Sequence, residues 1–123
     1  DQDGARKSHV EAITIVRGLL QQTPDDADAI YEHSTAHLEL GRLAARQGDS
    51  ALALTHLQQS LEMRKRLSAA DPGNASFQRS VAETMSELAG IPGSAVDRTA
   101  FRAHVQDMER RRILWPSDRA WVE

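Results

Sequence analysis

A chain of 123 residues, 40% hydrophobic and 4% aromatic, is long enough for one continuous core and too short for two. Its formal net charge of −3 withholds the long-range attraction on which nucleic-acid binders rely, and with no Cys there are no disulfides, zinc thiolates or thiol nucleophiles. No apolar run reaches the roughly 18 to 20 residues that cross a bilayer and no signal peptide is visible, so neither membrane nor nucleic acid is an expected partner and the expected location is cytoplasmic.

Few Gly and Pro and no alternating β-branched run point to an all-α class. The chain begins at Asp1 without an initiator Met, which reads as a piece of a longer protein. A first helix is predicted over residues 5–22. On a wheel of 100° per residue, Val10, Ala12, Ile13, Ile15, Val16, Leu19 and Leu20 cover an arc of roughly 220°, wider than packing on one side needs. That arc suggests partners on two sides: the absent first helix of a repeated unit, the chain itself folded over a terminal helix, or a second copy of the chain.

Thr23-Pro24-Asp25-Asp26 ends this helix and starts the next, with Thr23 as the predicted N-cap and Pro24 in the first turn. The second helix runs from about Asp25 to Arg46, with Ala36, Leu40, Leu43 and Ala44 as core. Gly48 closes it, and Asp49 or Ser50 caps a third helix over about 50–70 with Ala53, Leu57, Leu61 and Leu67 inward. After the turn Asp71-Pro72-Gly73-Asn74, a fourth helix spans about Ala75 to Leu88. The loop Gly90-Ile91-Pro92-Gly93-Ser94 precedes a fifth that reaches about Arg112, with Phe101, His104, Val105, Met108 and Trp115 on its apolar stripe. Pro116 disfavours helix at Trp115, and Trp121 in the tail of 113–123 can fold back over the last hairpin.

Pro24 and Pro72 lie 48 positions apart (72 − 24), as do Leu40-Gly41 and Leu88-Ala89 (88 − 40). The same shift relates Ala27 to Ala75, Leu19 to Leu67 and His56 to His104. A turn, a helix end and buried positions recurring together mark an array of helical hairpins. Leu40-Gly41, the Gly48-Asp49 turn, Ala53, Leu57, Leu61 and Pro72 resemble the recurring residues of a tetratricopeptide repeat. The period of 48 exceeds the usual ~34 and is similar to the longer-helix variety found in kinesin light chains and many bacterial regulators. The resemblance implies an α-α superhelix of about five helices: a half unit (5–22), a unit (25–70), a degenerate unit (75–112) in which Ala89 replaces the Gly, and a capping tail.

Catalytic chemistry finds little support. His33 and His37 share a helix face, but a metalloprotease helix needs Glu after the first His, where Ser34 stands, and no third ligand follows from sequence. His9, His56 and His104 read as isolated. The loop at 90–94 lacks the Gly-Lys-Ser/Thr ending of a phosphate loop, and Asp1-Gln2-Asp3-Gly4 has the wrong spacing for a calcium loop. Neither enzyme activity, metal nor cofactor is therefore expected. The basic runs Arg64-Lys65-Arg66 and Arg110-Arg111-Arg112 fall near helix C-termini, where they favour the dipole and pair with carboxylates such as Glu62, the alternative being a site for an acidic partner.

The resemblance further implies a concave groove that receives a peptide or protein segment. Its lining would be Thr35, Leu38, Glu39, Arg42, Ala45 and Arg46, followed by Glu83, Ser86 and Glu87. Arg42 and Arg46, one turn apart, would together reach one acidic ligand. The expected function is thus a non-catalytic interaction module. The alternatives are self-association through the first helix or a regulatory domain of a larger bacterial signalling protein.

Overall fold

Asp26, Asp49, Asn74 and Asp97 begin four helices in the same way. Each carboxylate or amide oxygen accepts the backbone N–H three residues on, at Ala29, Leu52, Phe77 and Ala100, over 2.9–3.2 Å. Each thereby satisfies one of the donors that a helix start leaves unpaired. The computed structural model describes residues 2–22, 26–114 and 118–122. Among them lie α1 (Gln2–Gln22), α2 (Ala27–Arg46), α3 (Ser50–Ala70), α4 (Ala75–Ala89), α5 (Arg98–Arg110) and the short α6 (Arg119–Val122), with no strand. None of these helices is long and apolar enough to cross a membrane.

The cap of α2 is Asp26, whose side-chain oxygen accepts from Ala29 N. The proposed roles of Thr23 and Pro24 lie outside the described residues, as does Trp115. α1 begins at Gln2, earlier than its periodicity indicates, and α5 stops at Arg110.

Gly48 ends α2 at φ +79°. Gly48 N–H bonds to Ala45 O and Asp49 N–H to Ala44 O, the paired closure that a left-handed residue permits. α5 ends with the same two bonds, Arg112 N–H to Glu109 O and Ile113 N–H to Met108 O, but here the left-handed position (φ 57°) belongs to Arg112.

Tight reversal at Gly48 lays α3 antiparallel on α2, with Ser34 meeting Arg64, His37 meeting His56 and Gly41 meeting Leu57. α4 returns alongside α2 in the parallel sense. Tyr31 faces Phe77 at one end, with ring centroids 6.3 Å apart, and Arg42 bonds Glu87 at the other. These pairs are offset by 46 (77 − 31) and 45 (87 − 42) positions, close to the 48-residue shift in the sequence.

Leu38, Leu57, Leu61, Val81, Ala82, Met85, Leu88, Phe101, Val105 and Met108 form one core through α2–α5. A smaller cluster of Ile13, Ala36 and Leu40 seats α1. α1 leaves two large apolar side chains uncovered, Val10 48% and Ile15 67% exposed. The side chains of Val16, Leu19 and Leu20, part of the predicted arc, lie outside the described residues. At the other end Trp121 packs edge-on against Phe101, and Arg79 holds the buried Asp118 through two bonds of 2.7 Å. Asp118 and Trp121 thus lie against α4 and α5.

A candidate interaction face on helices α2 and α4

The face shared by α2 and α4 is organised from behind by Arg64 of α3. This residue falls on the apolar stripe Leu57–Leu61–Arg64–Leu67, so its side chain points inward and is 1% exposed. A buried guanidinium is costly unless its fixed fork of donors is satisfied. Here Nε donates to Ser34 Oγ (3.0 Å) and Nη2 to Thr35 Oγ1 (3.1 Å), both on α2. Nη1 reaches Ser80 O (3.2 Å), Glu83 Oε1 (2.8 Å) and Thr84 Oγ1 (3.1 Å) on α4. The Tyr31 ring covers the guanidinium at 5.2 Å, a cation–π distance.

The hydroxyls are arranged to accept. Ser34 and Thr35 donate to Tyr31 O, and Thr84 donates to Ser80 O, which leaves their lone pairs for Arg64. Arg64 does pair with a carboxylate, but that of Glu83 on α4, and from a buried position. Lys65 and Arg66 remain exposed, whereas Arg64 ties three helices together. The sequence signal was available: Arg64 lies three residues from both Leu61 and Leu67, the spacing of a buried position.

Arg42 stands farther along the same face. Its Nε donates to Glu87 (2.7 Å) and its Nη1 to Glu39 (2.9 Å). Burial works against the charge, but the hydrogen bond and charge of Glu87, with Glu39 and Glu83, prevail and hold the Arg42 pKa above its ordinary value. These groups are a third exposed, so each pair contributes no more than about 1 kcal/mol.

The proposed groove residues divide accordingly. Glu39, Arg42, Glu83 and Glu87 come together across α2 and α4, and the Thr35 hydroxyl is committed to Arg64. Ala45 and Ser86 are half-buried and Arg46 is exposed. Leu38, 2% exposed, belongs to the core and lines no groove. Arg42 is already engaged by two carboxylates, so it does not wait beside Arg46 for an acidic ligand. Past Arg64 the face opens into a polar trough of about 250 Å³ lined by Tyr31, Ser76, Arg79, Ser80, Glu83, Asp118 and Trp121.

Three histidines meet on the side of α2 that faces α1. His37 Nε2 is 3.1 Å from His33 Nε2, and His37 Nδ1 is 3.0 Å from His56 Nδ1 of α3. His56 is thus not isolated. Because His37 turns a different nitrogen to each neighbour, the three rings do not converge on one point. Among the described residues no group of three or more His, Cys, Asp or Glu is placed to hold a metal ion.

Burial lowers the pKa of all three rings, most at His37, which is pushed down to about 4. Arg17 adds to the effect at His33 and His37, the flanking histidines add to it at His37, and Arg6 adds to it at His56.

Compared with protein-family models, with curated proteins and with solved structures, the chain matches none.

Proposed function

We propose that this chain is a non-catalytic protein-interaction module, a stack of helical hairpins of tetratricopeptide type that receives a peptide or protein segment along the α2–α4 face. The observation that carries this reading is the parallel course of α2 and α4 at an offset near the sequence period, fixed by Tyr31–Phe77 and Arg42–Glu87. Repeated hairpins that stack in this way bury one side on their neighbours and leave a rigid surface for recognition. The trough beside Tyr31 supplies an aromatic wall, hydroxyls and carboxylate edges, which suit an extended segment with backbone N–H groups to donate.

Selection of peptides from a display library against the purified chain tests this. Selected peptides should lose binding in the surface variant Ser76→Trp, which fills the trough from an exposed helix position. Selected peptides whose affinity is indifferent to that change would contradict the site, and failure to select any binder would contradict the function.

A second reading rests on Val10 and Ile15, apolar and exposed on α1. Self-association through this helix predicts a dimer that the double change Val10→Lys and Ile15→Lys converts to monomer in light scattering.

A further inference from the structure

Proton counting across the histidine cluster gives it a behaviour separate from peptide recognition. Each of the two N···N contacts, His33 with His37 and His37 with His56, is a hydrogen bond only while one proton lies between its two nitrogens. The two contacts therefore hold two protons. Two outer positions remain, His33 Nδ1 and His56 Nε2. Three neutral rings carry three protons, two in the contacts and one at an outer nitrogen. A fourth proton fills the other outer nitrogen and makes the cluster singly charged with both contacts intact. A fifth has nowhere to go except into a contact, where two N–H groups would point at each other across about 3 Å.

The surroundings weigh against accumulating charge. His33 Nδ1 is buried with no hydrogen-bond partner among the described residues, so a proton there is unsatisfied. The titratable and charged groups facing the rings are His33 and His37 from α2, His56 from α3, and Arg6 and Arg17 from α1. Arg6 also lines the narrow cleft beside His56, with Leu40, Leu43 and Ala44. Among the described residues, the fixed charges that weigh on the rings, Arg6 and Arg17, are positive and come from one helix. Among its described side chains, α1 gives the core only Ile13 and part of Ala12.

From this arrangement we propose that His33, His37 and His56 form an acid-sensitive clasp, which closes with at most one excess proton and on taking a second repels Arg6 and Arg17 so that α1 leaves the α2–α3 hairpin. Departure of α1 would uncover Ala36 and Leu40, making a second apolar surface available in acid only. The device couples proton uptake by a few titrating groups to the seating of one helix.

Amide hydrogen exchange and histidine NMR titration on the whole chain, between pH 7 and about 4.5, test the clasp. Wild-type α1 should lose protection at least about tenfold over this interval while α4 keeps its own. The double variant Arg6→Gln and Arg17→Gln alters exposed positions and should fold. In it the rings should titrate at higher pH, while α1 stays protected to lower pH. A merely structural role for the histidines would not produce these opposed shifts. His37→Gln, which removes both contacts, should abolish the acid step. Constant protection of α1 in the wild type while the rings titrate, or an unchanged α1 transition in the arginine variant, would overturn the proposal.

Discussion

Arg64 donates through Nε to Ser34 Oγ 30 positions earlier, 3.0 Å away on a different helix, and nothing of either side chain's polar end reaches solvent. The pair joins α3 to α2, and the other limb of the same guanidinium continues to Ser80, Glu83 and Thr84 on α4. One side chain therefore sets the spacing of the three helices that make the candidate face.

Replacing Arg64 by Ala should destabilise the fold by about 3 kcal/mol or more, since it removes several charge-assisted bonds and leaves buried hydroxyls unpaired. Arg64→Lys should recover only part of this, because an ammonium cannot reach five acceptors on two helices. Urea unfolding of both variants gives the comparison. Equal stability of Ala and Lys variants would show that the fork geometry contributes nothing.

α2 and α3 approach closely at Gly41. A Cβ there would stand 2.6 Å from Leu57 Cγ and 3.3 Å from Ala53 O. Gly41→Ala should therefore cost about 1–3 kcal/mol by overpacking, despite the better helix propensity of Ala, and Ala53→Leu should cost a similar amount. A rise in melting temperature for Gly41→Ala would mean that the helices are farther apart.

Arg112 occupies a left-handed backbone position that Gly adopts without strain. Arg112→Gly should leave the fold as stable as before or stabilise it by up to about 1 kcal/mol, after the unfolded-chain entropy of Gly is set against the relieved strain. Destabilisation beyond about 1 kcal/mol would mean that the Arg112 side chain has a role beyond this turn.

The histidine cluster fixes the sign of the pH dependence. His33, His37 and His56 bind protons less readily folded than unfolded. Their contribution is fully present above the unfolded pKa of 6.5 and is lost as pH falls toward the folded value of about 4 for His37. For His37 alone the loss is on the order of 3 kcal/mol. Urea midpoints at pH 7 and about 5 should differ in the wild type and differ less in His37→Gln, where residual change comes from other groups.

Much of the fold is written locally. Asp49 and Asn74 precede apolar periods, Gly48 ends one, and the Gly41–Ala53 approach follows from small residues set against a recurring frame. Such features depend on a few neighbouring residues, which a sequence displays. The candidate face was less legible. Arg42 pairs with Glu39 within α2, which helical spacing displays, but its bond to Glu87 and that of Glu83 to Arg64 depend on how α4 lies against α2 and α3. Leu38 was placed in a groove by resemblance, whereas packing sends it inward. The meeting of His56 with His37 joins residues 19 positions apart on opposed helices, and no local pattern encodes it. The buried place of Arg64 shows only when its stripe is followed residue by residue, because a basic run near a helix end resembles a surface feature.

The parallel register of α2 and α4 is the premise of the interaction face, and ring-proton NOEs of Tyr31 measure it most directly. Contacts from Tyr31 to Phe77 at the start of α4, with Arg42 contacting Glu87 at its end, are the predicted result. NOEs from Tyr31 to residues near Leu88 would reverse α4 against α2 and contradict the stacked-hairpin account.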